Sequence, residues 1–284
     1  MKKGINLYNQ TTSILINYFV LLSATLAAYF AFTDLQISIS VVNEESGWAN
    51  FLQNFGEIPG LLVLYAGTII YLSFLNSSSI VKKYSLFLFL LLAATYLLSH
   101  TIAVIYHGFT GNYSVIQRYK IVIVLFLLAF NFLLRVVLKK FSFSQRTRLF
   151  AKSIILLGLF GYLFIVQPLK HLWGRVRFRD LDTLYSNFTP WFLPNGINGN
   201  QSFPSGHAAM AWMILPLLLL VDNKSKSIKA FVLIIIISWA FAVSISRVVI
   251  GAHYASDVLW GSIIIIVVFL LITKSYWKTA KTVS

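Results

Sequence analysis

Cysteine is absent from the 284-residue sequence, which excludes disulfide scaffolds and thiolate metal sites and leaves the redox compartment undetermined. Charge is scarce: 11% of residues are Asp, Glu, Lys or Arg, far below the roughly 25% of soluble domains. Acidic residues are the scarcest, 8 against 23 basic, giving a net charge of +15. Such a balance can point to nucleic acid, but in a chain this apolar it reflects loops on one side of a bilayer. No nucleic-acid partner is therefore expected. Alternating strand-length patterns are also missing, which excludes an outer-membrane barrel.

What the sequence has is apolar length. Hydrophobic residues make up 58% of it and the mean hydropathy is +0.79. Several runs reach the ~20 residues that a helix needs to cross a ~30 Å hydrocarbon core. The first, from about Ser13 to Phe32, is too long for a signal-peptide core and has no small-residue cleavage pattern after it, so it is expected to stay. The fold class expected is all-α, a polytopic membrane bundle with about eight spans. They fall near 13–33, 59–76, 85–105, 121–138, 153–169, 207–221, 230–247 and 256–273.

Placing the N-terminus in the cytoplasm puts 16 of the 23 basic residues inside, among them Lys82, Lys83, Lys139, Lys140, Arg146, Arg148, Lys224 and Lys226. Both termini are then cytoplasmic, as the positive-inside rule prefers. Seven basic residues fall outside, and five of those seven lie at 170–179 and at 247, where topology does not call for them. The loop at about 170–206 is long enough to suggest a functional role.

Three blocks converge on that outer side. Lys170-His-Leu-Trp-Gly-Arg-Val-Arg177 sets two fixed cations seven residues apart. Alone, it reads equally well as a basic cluster anchored to headgroups. Phe203-Pro204-Ser205-Gly206-His207 precedes an apolar run and reads as a helix start. There Ser caps, and the free N–H groups of a first turn suit an anion. His207 alone would more often be a histidine at the water interface, but Pro-Ser-Gly-His arises by chance only about once in 10⁵ positions at average residue frequencies. Ser246-Arg247, then His253 and Asp257, form the third block. Residues four apart share a helix face, so Asp257 could accept from one imidazole nitrogen and leave the other free. Asp257 also reads as an N-cap of the last span, and the two roles are compatible.

These blocks resemble the type 2 phosphatidic acid phosphatase (PAP2) superfamily, whose pattern is Lys-x6-Arg-Pro, Pro-Ser-Gly-His and Ser-Arg-x5-His-x3-Asp. Phe178 stands where the family has Pro. The resemblance covers roughly 85–273, a six-helix catalytic core, with residues 1–84 as an N-terminal helix pair outside it and 274–284 as a cytoplasmic tail. It implies that His253 attacks phosphorus, Asp257 orients it and His207 protonates the leaving oxygen. Lys170, Arg177, Ser205, Gly206 and Arg247 would hold the phosphate, with no metal and no cofactor.

The expected activity is hydrolysis of a lipid phosphate at the outer face of a plasma membrane. Bacterial members act on undecaprenyl pyrophosphate, phosphatidylglycerophosphate, phosphatidic acid or lipid A. A lipid phosphotransferase would use the same residues, and a transporter would carry ionisable groups in mid-membrane. Arg175 and Arg179 read either as contacts to a second phosphate or as lipid anchors. His100, His107, Trp191 and Phe192 read as interfacial.

Overall fold

The computed structural model describes residues 2–282, with side chains described for 16–274. Every regular element there is helical. In chain order these are α1 (Lys2–Val41), α2 (Gly47–Phe55), α3 (Ile58–Ser73), α4 (Ile80–Thr110), α5 (Ser114–Leu138) and α6 (Gln145–Leu156). A π-helical stretch (Leu157–Val166) runs on into α7 (Gln167–Trp173). Then come α8 (Gly206–Trp212), α9 (Leu217–Leu220), α10 (Lys226–Val249) and α11 (Ala255–Thr282).

Among the described residues seven helices are long and apolar enough to cross a bilayer, and a further apolar helix, Gly206–Leu220, is shorter. That makes an all-helical polytopic bundle. Each expected span starts inside one of these helices, later than the helix itself does, because helices run on into polar flanks where hydropathy no longer marks them; 59–76 and 207–221 overrun their helices' ends at Ser73 and Leu220. Span 59–76 is the clearest case: Pro59 starts α3 as its fixed φ favours, but the nine-residue α2 stacks ahead of it.

Packing explains why α8 can be short. Residues 208–215 are all buried, since α8 lies between α10, α11 and α3 instead of facing lipid. Gly60 and Gly261 admit it: a Cβ on Gly60 would stand 2.2 Å from the Met210 carbonyl oxygen, and one on Gly261 2.4 Å from that of Ser205. By contrast α5 exposes Ile121, Val122, Phe126 and Leu133, and its buried Asn131 accepts from the Tyr65 hydroxyl at 2.7 Å. Polar clasps of this kind join helices where apolar surface gives no preference over lipid.

The chain alternates direction, so the 41–47, 110–114, 173–206 and 249–255 connections gather at one end. The 73–80, 138–145 and 220–226 connections gather at the other. All three sequence blocks lie at the first end. Lys82, Lys83, Lys139, Lys140, Arg146, Arg148, Lys224 and Lys226 lie toward the second. The first three helices pack into the bundle, α1 on α11, α2 on α10 and α3 on α4, α6 and α8.

Candidate active site

The third block is built by the turn between α10 and α11. Gly251 adopts φ +66°, which closes the turn and brings the N–H groups of Ala252 and His253 onto the Arg247 carbonyl at 3.0 and 3.1 Å. Arg247, in the last turn of α10, and His253 are thereby fixed side by side, 5% and 2% exposed.

The helical-face expectation for His253 and Asp257 needs correction. His253 lies two residues before α11 begins, and only Asp257 is helical. Asp257 sits in the first turn and accepts from the Tyr254 N–H at 3.0 Å, the reach-back of a capping carboxylate. Its Oδ2 also accepts from the Ser202 hydroxyl at 2.6 Å. His253 Nδ1 stands 3.7 Å from that oxygen, in ionic but not hydrogen-bonding range, and has no other partner. Burial pushes the His253 imidazole down to about 3, with Lys170 and Arg247 acting the same way and Asp257 against them. A neutral imidazole is the form that can act as a nucleophile.

Asp257 is held from behind by Arg175, a residue the sequence left between phosphate contact and lipid anchor. Arg175 is neither: it is fully buried, donating to Asp257 Oδ1 at 2.6 Å and to Asp34 of α1 at 2.9 Å. It further donates to the Ser256 hydroxyl (2.9 Å) and the Thr189 carbonyl (2.8 Å), and its guanidinium lies 4.0 Å from the Tyr254 ring centroid. Asp34 in turn accepts from both the backbone N–H and the hydroxyl of Ser256.

The second block starts α8. Ser205 caps it, its Oγ accepting from the Ala208 N–H at 3.3 Å, which leaves the hydroxyl hydrogen free to donate. The Ser205 N–H donates to the Asp257 carbonyl at 2.9 Å, joining the second block to the third. A Cβ on Gly206 would meet only ordinary contacts, Tyr162 Oη at 3.5 Å and the Lys170 side chain at 3.9 Å.

From the first block, Lys170 in α7 donates to the carbonyls of Gln201 (2.9 Å) and Pro204 (3.4 Å). Gly174, φ +60°, ends α7 where a Cβ would collide with the Gly196 carbonyl at 2.0 Å. Arg177 is extended at φ −74°, ψ 153°, the conformation that a following proline imposes. Phe178 keeps it without the ring constraint: it is 8% exposed, with ring centroids 5.8 Å from Tyr185 and 6.4 Å from Tyr254. The Arg179 N–H then donates to the Gly251 carbonyl at 3.0 Å, tying the first block to the third.

Lys170, Arg177, Ser205, Gly206, His207, Arg247, His253 and Asp257 thus gather at one end of the bundle, and Lys170, Arg247, His207 and His253 are within electrostatic reach of one another. Sequence reasoning missed Asp34, Gln53 and Glu57, all N-terminal to the motif blocks. Gln53 in α2 accepts from Arg247 at 3.3 Å and Arg179 at 3.4 Å, and its carbonyl lies 3.0 Å from His207 Nε2. Glu57 reaches His207 Nδ1 at 3.1 Å. For Asp34 and Glu57 the available signal was a lone carboxylate in or beside an apolar span, which is costly unless paired; Gln53 carried no such signal. Among the described residues no group of three or more His, Asp or Glu is arranged to hold a metal.

A cavity of about 820 Å³ opens beside the site, among α3, α4 and the π-helical stretch. Glu57, which contacts His207, lines it together with Tyr162 and Gln167, and Leu64, Leu90, Leu97, Ile155 and Leu159 make its walls apolar. His100 is one of its lining residues. His107 stacks on Tyr113 at 4.2 Å between centroids. Trp191 donates to the Ala27 carbonyl and packs on Trp260, so it serves as a joint between α1 and the long loop.

No curated protein and no solved structure matches the chain. Residues 151–281 match the family model described as PAP2 superfamily, a narrower stretch than the expected 85–273 that leaves α4 and α5 outside. That stretch carries all three blocks, and over it the chain is similar to the PAP2 superfamily.

Proposed function

We propose that the protein is a membrane lipid phosphatase working through a phosphohistidine, without a metal. The superfamily sets the class, phosphatase or phosphotransferase chemistry on phosphate esters. The observation that carries the finer reading is a neutral, buried His253 beside Lys170 and Arg247, backed by Asp257. In this reading His253 Nε2 attacks phosphorus as the bond to the lipid oxygen breaks, and that oxygen takes a proton from His207. Water then attacks the phosphohistidine, giving its proton back to His207 as the P–N bond breaks and phosphate leaves.

Phosphoryl transfer needs chiefly positioning and positive charge around the equatorial oxygens. Lys170, Arg177 and Arg247 supply that charge, with the Ser205 hydroxyl and Gly206 N–H as further donors, which is the support for metal independence. The developing positive charge on His253 falls on Asp257, which Arg175, Ser202 and the Tyr254 N–H hold in place.

A lipid substrate is supported by the cavity, whose size lies in the roughly 300–1,000 Å³ range of ligand sites and whose mostly apolar lining meets the site at Glu57, which contacts His207, and at Tyr162, beside Gly206. The π-helical stretch forms one wall, as such stretches often do at functional sites. Undecaprenyl pyrophosphate, phosphatidylglycerophosphate, phosphatidic acid and lipid A are the substrates to compare, and a lipid acceptor would make the same residues a phosphotransferase. The membrane proposed is the plasma membrane, with both termini cytoplasmic and the site on the far face, which rests on the basic residues gathered at the opposite end of the bundle.

The test is phosphate release by purified protein from that panel, with and without EDTA. Release from at least one lipid phosphate, unchanged by EDTA and inhibited by vanadate, is expected. Activity that EDTA abolishes and magnesium restores would overturn metal independence, and activity confined to water-soluble phosphates would overturn the lipid assignment.

A further inference from the structure

His207 has an acceptor on each ring nitrogen. Nδ1 lies 3.1 Å from Glu57 Oε1, and Nε2 lies 3.0 Å from the Gln53 carbonyl oxygen. A carbonyl oxygen cannot donate, so Nε2 must carry a proton. The other ring nitrogen then shares a proton with the Glu57 carboxyl group. Both partners come from outside the stretch that matches the family, Gln53 from α2 and Glu57 from the residue before α3.

We propose that Glu57 is the positioning residue of His207, its carboxylate holding the Nδ1 proton so that Nε2 is the nitrogen that protonates the leaving oxygen. A carboxylate on the far nitrogen fixes the tautomer and ring orientation and stabilises the imidazolium. Here it also answers a local need. The other charged or titratable groups facing His207 are Arg247 from α10, Lys170 from α7 and His253 from the turn before α11, and none of them favours a proton on the ring. Among the charged groups Glu57 does, at 3.1 Å from Nδ1, and the uncharged Gln53 carbonyl acts the same way at Nε2. Gln53 is itself fastened by Arg247 and Arg179, so its carbonyl holds Nε2 in line until a leaving oxygen takes its place.

Proton balance is simple. Nε2 gives its proton to the leaving oxygen as the P–O bond breaks, Nδ1 keeps its own toward Glu57, and Nε2 regains a proton from the water that cleaves the phosphohistidine. Glu57 touches no reacting atom.

The inference rests on the phosphatase reading, and leaving-group dependence separates the two. An alkyl and an aryl phosphate carrying the same hydrocarbon tail are compared in wild type and Glu57→Gln. An alkoxide needs the proton, whereas a nitrophenolate does not. Glu57→Gln is expected to lower kcat for the alkyl phosphate roughly 10–100-fold, part of the span ascribed to general acids, and to leave the aryl phosphate within about threefold. Its kcat for the alkyl phosphate should also begin to fall at lower pH than in wild type, because the cations facing His207 are then unopposed. Glu57→Asp should restore part of the rate, and serves as the variant should Gln fail to fold. The double variant Glu57→Gln/His207→Ala should be no slower than His207→Ala alone.

Equal losses on both substrates would make Glu57 merely structural and overturn the inference, as would wild-type rates on both. A wild type that cleaves neither phosphate would overturn the phosphatase reading, and the inference with it.

Discussion

Replacing Arg175 by Met tests whether the buried charges behind Asp257 hold the site together. Arg175 sits between two carboxylates, Asp34 at 2.9 Å and Asp257 at 2.6 Å, with all three side chains at most 1% exposed. Methionine fills much of the arginine stem's volume but leaves both carboxylates buried without their cation. Removing one partner of a buried ion pair costs about 3–5 kcal/mol. In a chain of this size, at roughly 2 °C per kcal/mol, the melting midpoint should fall by about 6–10 °C.

Asp34→Asn should cost less, because the Arg175–Asp257 pair survives. In the double variant Asp34→Asn/Arg175→Met only one carboxylate is left unpaired, so its loss should be smaller than the sum of the two single losses. Intrinsic tryptophan fluorescence in detergent reads the transition, since Trp173, two residues before Arg175, donates to the Trp191 carbonyl, and Trp191 packs on Trp260, three residues after Asp257, with centroids 5.1 Å apart. An Arg175→Met protein melting within 2 °C of wild type would refute the network's role, and strict additivity would refute the charge-pairing explanation.

Gly261→Ala should abolish turnover while the protein remains membrane-inserted, because the new Cβ would press on the Ser205 carbonyl and displace the start of α8; near-wild-type phosphate release would show that α8 can shift freely. The His253 ring should stay neutral from pH 8 to pH 5 when followed by NMR of labelled histidine, and a midpoint near 6.5 would contradict its burial. The sign follows from linkage: with the folded value about 3 and the unfolded value near 6.5, the unfolded chain takes up the proton first. His253 therefore contributes stability above pH 6.5 that is lost as pH falls toward 3. Cysteines at Leu184, 85% exposed in the long loop, and at Asn223, exposed at the opposite end, should respectively react with and escape an impermeant thiol reagent on intact cells; the reverse pattern would invert the proposed orientation.

The sequence made the bundle and the three motif blocks legible for one reason each. Apolar length has a direct physical meaning in a membrane, and Pro-Ser-Gly-His with its companions is too specific to arise by composition. The second coordination of the site was hidden because it depends on pairs far apart in the chain: Arg175 and Asp34 are 141 residues apart, Ser256 and Asp34 222. Spacing rules reach only a few residues, and even there they misled. The four-residue interval between His253 and Asp257 suggested one helical face, yet Gly251 turns the chain so that the two approach from a loop and a helix start. Arg175 looked like one more loop cation, because nothing local distinguishes a guanidinium aimed at phosphate from one aimed inward at two carboxylates.

Trapping the covalent intermediate bears most directly on the mechanism. Rapid acid-free quenching of protein mixed with a lipid ³²P-phosphate should leave label on the chain, stable to alkali and lost in acid, as expected of phosphohistidine. Peptide mapping should place it on His253, and His253→Ala should carry none and turn over at less than about a hundredth of the wild-type rate. Label on another residue, or full turnover by His253→Ala, would contradict His253 as the nucleophile.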